Sequence, residues 1–173
     1  MSACELPPHP PRRAASRALA LVLATLALSA GPPSASAQRA GPFSGFAGSF
    51  HGGGDVVSRD GHRERISCRA TGAVGGGGRT LSQNIVCSSD SYRFDIRGQV
   101  AAEGSNVRGD WQETSRGVSG GISGRISDGR FAGAINAGGF NASFSLRASG
   151  RKMYFGLRPS GSDVASVSVA LSR

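Results

Sequence analysis

The sequence has few aromatic residues, few acidic residues and, beyond residues 18–30, no long apolar run. Aromatic residues make up 6% of the 173 residues, and 11 acidic residues stand against 20 basic ones. Helical periodicity is almost absent from residue 38 onwards. Because no second long apolar run exists, we expect no transmembrane span in the mature chain. Because helical periodicity is almost absent, we expect a fold that is neither helical nor α/β.

Motifs of catalysis and cofactor binding are also missing. The sequence contains no Gly-x-Ser-x-Gly elbow, no metal-binding helix motif and no phosphate-binding loop. Two lone cysteines with distant His51 and His62 lack the spacing of metal ligands. We therefore predict no catalytic residue, no metal and no cofactor, and a protein that is not an enzyme.

The first 37 residues are typical of a targeting segment. A basic lead from Arg12 to Arg17 precedes the apolar run at 18–30, which is too short to span a bilayer comfortably, and an Ala-Ser-Ala cleavage pattern ends at Ala37. We predict a signal peptide at 1–37, a single β-barrel domain at 38–173, and a periplasmic or secreted location.

The charge of the mature chain is positive. Without residues 1–37, 17 basic and 10 acidic residues leave a net charge of +7. Such a charge suggests nucleic acid in a cytosolic protein, but the arginines are scattered singly and export argues against that partner. A solvated cationic surface is the simpler interpretation. Weak attraction to an anionic envelope component, such as lipid headgroups or acidic glycans, is the alternative.

Two cysteines remain in the mature chain, Cys68 and Cys87. An even pair in a small exported domain predicts a disulfide. A Cys/His nucleophile pair is the lesser alternative.

Short segments of alternating polarity, broken by Gly, Asp, Asn and Ser, fill the mature chain. They predict an all-β fold, an antiparallel up-and-down meander of about ten strands that forms a soluble barrel or rolled sheet. In eight predicted hairpins the apolar residues share one face and the charged residues the other. The Asp128-Gly129 turn pairs Ile126 with Phe131, the loop through Glu103 and Gly104 pairs Val100 with Val107, and the glycine loop at 76–79 pairs Cys68 with Cys87. The charged outer face excludes an outer-membrane barrel, whose lipid-facing side is apolar.

Glycines interrupt the inward face of this meander. In the predicted register Gly98, Gly109, Gly124 and Gly133 lie side by side on neighbouring strands, with Ala142 next. Glycine weakens a strand, so such a row calls for a reason. The favoured interpretations are that the glycines let the backbone bend and that they leave space which the protein's own aromatic side chains fill. The alternative is that this space is a ligand cavity.

Three inward side chains are the candidates for ligand binding: Trp111, Glu113 and Gln83. Glu113 shares a face with Trp111, and a buried carboxylate beside an indole would have a raised pKa. Because Glu113 lies near the Arg116-Gly117 turn, we expect it instead at a solvated rim. Trp111 is expected in the core, and Gln83 is expected to hydrogen-bond in the interior or to a ligand.

The stretch "RISCRATGAV…LSQNIVCSSDSYRFDIRGQV…RGDWQETSRGVSGGISG" resembles small exported proteins of unknown function from soil alphaproteobacteria. This resemblance implies an exported location and a shared fold. The overall meander also resembles the lipocalin-type barrels. The leading functional prediction is a binding protein for a hydrophobic small molecule or lipid. The alternative is a periplasmic protein-interaction barrel, an inhibitor or assembly factor, without a small-molecule site.

Overall fold

The computed structural model describes residues 40–173, and the predicted signal peptide at 1–37 lies outside the described residues. Within them, a 3-10 helix, Ser44–Phe46, precedes ten strands. The strands are β1 (Gly48–Ser58), β2 (Arg63–Gly75), β3 (Thr80–Ser88), β4 (Arg93–Glu103), β5 (Asn106–Glu113), β6 (Val118–Ser127), β7 (Arg130–Ala137), β8 (Phe140–Ser149), β9 (Lys152–Ser160) and β10 (Val164–Ser172). No helix in residues 40–173 is long and apolar enough to cross a membrane.

The strands form a closed antiparallel barrel. Each strand pairs with its neighbours in the chain, and β1 also pairs with β10, with Val56 opposite Val167. This confirms the predicted all-β meander of about ten strands. It also decides between a barrel and a rolled sheet, because closure leaves no unpaired sheet edge.

Inward and outward faces alternate as predicted. On β2, Ile66, Cys68 and Ala70 are buried, whereas Arg65 and Arg69 between them are exposed. Successive side chains of a strand point to opposite faces, so this alternation places the apolar set inside and the arginines outside.

The predicted register is correct in two hairpins and wrong in the other six. The β2–β3 and β6–β7 pairs are as predicted, with Cys68 opposite Cys87 and Ile126 opposite Phe131. Elsewhere the pairing is shifted by two residues. Val100, predicted to pair with Val107, instead pairs with Gly109. A shift of two residues keeps every side chain on its face, so the face prediction survives while the neighbours change.

Turn chemistry explains part of this shift. The β6–β7 turn uses Asp128 and Gly129, both with positive φ, as an Asp-Gly turn should. Between β4 and β5 the turn lies at 104–105, and Gly104 is its first residue with φ 61°. The predicted turn runs through Glu103 and Gly104, so it made this glycine the second turn residue instead of the first. Gly150 likewise opens the β8–β9 turn with φ 58°.

The predicted glycine row is wrong as a consequence. Gly124 and Gly133 are opposite one another, but Gly98 lies between Gln83 and Trp111, and Gly109 lies between Val100 and Ile122. Ala142, predicted beside Gly133, pairs with Ile135. The glycines are therefore dispersed over the inner wall.

Close approach of neighbouring backbones explains most of these glycines. A Cβ atom at Gly124 would overlap the carbonyl oxygen of Ala132 and lie 2.8 Å from the Cα of Gly133. A Cβ at Gly109 would overlap the carbonyl oxygen of Gln99. Gly98 differs, because its Cβ would meet only the Ile122 side chain at 3.4 Å and the Asp110 carbonyl oxygen at 3.8 Å. Close backbone approach thus accounts for Gly124 and Gly109, whereas Gly98 leaves space inside.

One end of the barrel is filled by the segment that precedes β1. Phe43 and Phe46 are fully buried there, and the Phe43 ring packs edge-on against Phe131 at 5.9 Å between ring centroids. The Phe43 amide donates to the Gly78 carbonyl oxygen at 3.0 Å, which ties the segment to the β2–β3 turn. We call this the plugged end.

Candidate ligand site at the open end of the barrel

The opposite end of the barrel contains an open cavity, which we call the mouth. The loops at 59–62, 89–92, 114–117, 138–139 and 161–163 lie at this end. The mouth has a volume of about 480 Å³. Its wall is mainly aromatic and aliphatic: Tyr92, Phe94, Ile96, Trp111, Val118, Ile135, Phe140, Leu157, Pro159, Val164 and Val167.

A smaller cavity of about 70 Å³ lies deeper in the barrel. It shares wall residues with the mouth, namely Ile96, Trp111, Ile135 and Leu157. Several inward apolar side chains around the two cavities remain partly exposed: Phe94, Ile96, Ile122, Phe144, Phe155 and Leu157. The interior is therefore closely packed near the plugged end and incompletely filled towards the mouth.

Trp111 forms part of the wall of both cavities. It is 5% exposed, which agrees with the predicted core position. Its indole Nε1 donates to the Asn136 carbonyl oxygen at 3.2 Å, and the Phe140 ring lies 5.8 Å away between centroids. Because the indole N–H is already engaged, Trp111 offers a ligand only its apolar ring.

Glu113 lies beside the 114–117 loop, but the predicted solvated position is wrong, because the residue is only 6% exposed. Its Oε1 accepts from the amides of Asp95 at 3.0 Å and Ser115 at 3.2 Å. Its Oε2 accepts from the Arg116 amide at 2.7 Å, and the Arg116 guanidinium lies 3.6 Å away. Backbone donors thus take the place of the expected solvent.

The pKa of Glu113 is lowered, contrary to the alternative of a raised one. Burial by itself raises the pKa, but hydrogen bonds from Asp95, Ser115 and Arg116 stabilise the carboxylate and outweigh it. An ionised carboxylate with both oxygens engaged is suited to holding the 114–117 loop in place. It is not suited to donating a proton at neutral pH.

Gln83 lies deeper and away from Glu113. It is 8% exposed and borders the inner cavity, and its Nε2 donates to the Thr71 carbonyl oxygen at 3.0 Å. Its Oε1 accepts no hydrogen bond from residues 40–173. The cross-strand order Gln83, Gly98, Trp111 places these residues on one row of the inner wall. The structure therefore brings Trp111 to both cavities, Glu113 to the mouth and Gln83 to the inner cavity.

The predicted disulfide between Cys68 and Cys87 is confirmed. The two residues are opposite each other on β2 and β3, with Cα atoms 4.1 Å apart and an S–S distance of 2.06 Å. Both are buried, and Cys87 pairs with Phe94 of the mouth. The disulfide therefore supports the wall on which this aromatic residue stands.

Sequence reasoning missed the aromatic group at the mouth. The Tyr92 and Phe94 rings are stacked, with centroids 6.0 Å apart and an interplanar angle of 12°. The Arg116 guanidinium lies 5.4 Å from the centroid of the Phe94 ring. Inward parity of Phe94 and Phe140, and their place beside loops of the same barrel end, are readable from the predicted meander. That this end stays open, while Phe43 and Phe46 fill the other, is visible only in the structure.

The part of the chain that the structure describes offers few further groups of polar side chains that could bind a ligand or a metal. There, no three His, Cys, Asp or Glu side chains come together in a way that could hold a metal ion. The mouth is mainly apolar, and its edge carries one exposed cation and one exposed acid, Arg116 and Asp163. The Arg116 side chain is 53% exposed and the Glu113 side chain only 8%. This arrangement suits binding through apolar contact.

The fold and this site define an up-and-down β-barrel with one plugged end and one open end. The chain is similar to the crystal structure of Rv2717c from M. tuberculosis, with a TM-score of 0.59 and 13% sequence identity over 75% of this chain and 93% of that one. No protein-family model matches the chain, and no curated protein matches it. At this identity the likeness supports the barrel fold alone. The resemblances to lipocalin-type barrels and to exported alphaproteobacterial proteins stay predictions.

Proposed function

We propose that this protein acts in the periplasm or outside the cell as a binding protein, taking a small hydrophobic molecule or lipid into the open end of its barrel. The mouth carries this proposal, because it offers about 480 Å³ of mainly apolar, aromatic-lined space. Ligand sites of proteins typically measure about 300–1,000 Å³ and have such walls with a few polar groups.

The shape of the site favours an amphipathic ligand. Its apolar body would lie against Phe94, Trp111 and Phe140, and its polar end would face solvent near Arg116. The inner cavity of about 70 Å³ is too small to hold such a ligand alone, so it would take only the inner tip. Both Glu113 oxygens already accept backbone amides, so Arg116 rather than Glu113 is the cationic contact for a ligand at the edge. The Arg116 Nη1 pairs with Glu113 and donates to the Arg93 carbonyl oxygen at 3.2 Å, so the rest of its exposed guanidinium would make this contact.

The proposed compartment is supported by the disulfide. Stable structural disulfides persist in oxidising compartments such as the periplasm or the exterior. Cys68 and Cys87 form such a bond in the barrel wall. The signal peptide predicted at 1–37 points in the same direction.

A neutral fluorescent probe tests the site directly. We expect N-phenyl-1-naphthylamine to bind with increased emission, and Val118→Phe to weaken its binding by about tenfold or more, because the larger ring occupies the mouth. Ser119→Phe is the matched control. It adds the same ring one residue further along β6, where the side chain is exposed on the outer face. Equal binding by both variants would contradict the site.

Native mass spectrometry of the protein from its own cells tests the function. A bound small-molecule mass supports the proposal. Its absence, together with no probe binding, would favour the protein-interaction barrel.

A further inference from the structure

The positive charge of the barrel is concentrated on one half of its wall. Residues 48–113, from β1 to β5, contain eight arginines and eight acidic residues. Residues 118–160, from β6 to β9, contain six cations and a single acid, Asp128. The first region is neutral and the second has a net charge of +5. A uniformly solvated cationic surface would not show this division.

Two of these cations lie side by side on the outer face without an acidic partner. Arg130 on β7 is directly opposite Arg147 on β8, and both are exposed. Neither forms an ion pair within residues 40–173. Like charges directly opposite each other destabilise a strand pair, so this placement calls for a compensating anion.

An open groove lies beside this arginine pair. It has a volume of about 620 Å³ and crosses the outer faces of β7, β8, β9, β10 and β1. Arg130, Arg147, Tyr154, Ala170 and Gly53 follow one another across these five strands. At about 4.8 Å between strands, the groove is roughly 19 Å long.

Small residues and the Tyr154 side chain also line the groove. Ser145, Gly156 and Ser168 are cross-strand neighbours in the row next to the arginines. A Cβ at Gly156 would meet only the Ser145 Oγ at 3.2 Å and the Val167 carbonyl oxygen at 4.0 Å, so packing alone does not demand glycine there. Tyr154 is 43% exposed, and it is the large hydrophobic side chain that residues 40–173 leave open to solvent.

The chemistry of this groove suits a linear polyanion. Paired guanidinium groups bind carboxylate or phosphate oxygens through planar, charge-assisted hydrogen bonds. An exposed tyrosine ring beside them presents a flat apolar face for the ring of a sugar. Asp55, the acid in the groove, is already paired with Arg63 at 3.1 Å. The groove follows five of the ten strands around the outside of a closed barrel, and an extended chain can follow this curved path whereas a flat membrane surface cannot.

We propose that the outer groove of β7–β10 and β1 binds an acidic polysaccharide, holding a carboxylate or phosphate between Arg130 and Arg147 and a sugar ring on Tyr154. This site lies on the outer wall and is separate from the mouth. The protein would therefore carry its hydrophobic ligand inside while the outer wall holds it to an acidic glycan.

Binding to polygalacturonate, with a neutral glucan as the control polymer, tests the proposal on the protein as its own cells process it. We expect Arg147→Gln and Arg130→Gln each to weaken binding by about tenfold, and Tyr154→Ser to weaken it less. Arg108→Gln is the matched control, because it removes the same charge from an exposed outward position on β5 in the neutral half. We expect this variant to change binding less than twofold, because it lowers only the net charge of the protein, whose attraction for the polymer is screened by salt.

Three outcomes would overturn the proposal. Equal weakening by Arg108→Gln would show attraction by net charge without a site. Equal binding of the neutral glucan would remove the role of the arginines. Binding to vesicles of phosphatidylglycerol and phosphatidylcholine without binding to polygalacturonate would assign the arginine pair to a membrane surface. Because Val118→Phe affects only the mouth, failure of the groove and failure of the hydrophobic site are distinguishable.

Discussion

Two glycines of the inner wall, Gly98 and Gly124, should respond in opposite ways to the same substitution. A Cβ at Gly124 overlaps the carbonyl oxygen of Ala132, which is backbone and cannot rotate aside. Gly124→Ala must therefore push β6 and β7 apart. Overpacking of this kind costs about 1–3 kcal/mol in the free energy of unfolding.

Gly98 faces space. Its Cβ would stand 3.4 Å from the Ile122 Cδ1, an ordinary contact, beside the cavity of about 70 Å³. Gly98→Ala restricts the unfolded chain, which is worth about 0.4–1 kcal/mol, and buries one further methyl group, worth up to about 0.8 kcal/mol. We therefore expect a stabilisation of about 1 kcal/mol.

Urea unfolding measures both variants against the wild type. We expect a lower midpoint for Gly124→Ala and a higher one for Gly98→Ala, with unchanged m values showing that the same surface is exposed on unfolding. Equal midpoints in the two variants would refute the distinction between close backbone approach at Gly124 and free space at Gly98. A fall for Gly98→Ala alone would show that the inner cavity is filled.

Two further predictions concern the disulfide and Glu113. Replacing Cys68 and Cys87 together by Ala should lower the free energy of unfolding by ~3 kcal/mol in the chain-entropy model, and the non-reduced wild type should resist thiol labelling; labelling of both cysteines would contradict this. Glu113→Gln should cost about 1–3 kcal/mol at pH 7, because an amide NH₂ then faces a backbone donor. The folded pKa of Glu113 is lowered, so its contribution is complete above the ordinary glutamate pKa and is lost as the pH falls through the folded value. The stability difference between wild type and variant in acid-titrated urea melts should therefore shrink at low pH, and a difference that stays constant would refute the role of its charge.

The periodicity of the sequence by itself determined which residues face inward. Alternation with period two is a local property of a strand, so Ile66 and Cys68 are recognisably inward and Arg65 and Arg69 outward without knowledge of their neighbours. The same alternation, with its turn residues, predicted ten strands and the Cys68–Cys87 pair. Inward positions of Trp111, Glu113 and Gln83 followed for the same reason.

Only the tertiary structure decided which inward residues meet. A two-residue shift of register conserves every face, so parity could not distinguish Val100 opposite Val107 from Val100 opposite Gly109, and the glycine row depended on that distinction. Insertion of Phe43 and Phe46 into one end depends on contacts between residues distant in the chain, and it leaves the end beside Phe94 and Phe140 as the open one. The closure of β1 on β10 joins the two ends of the meander, and no local pattern carries that pairing.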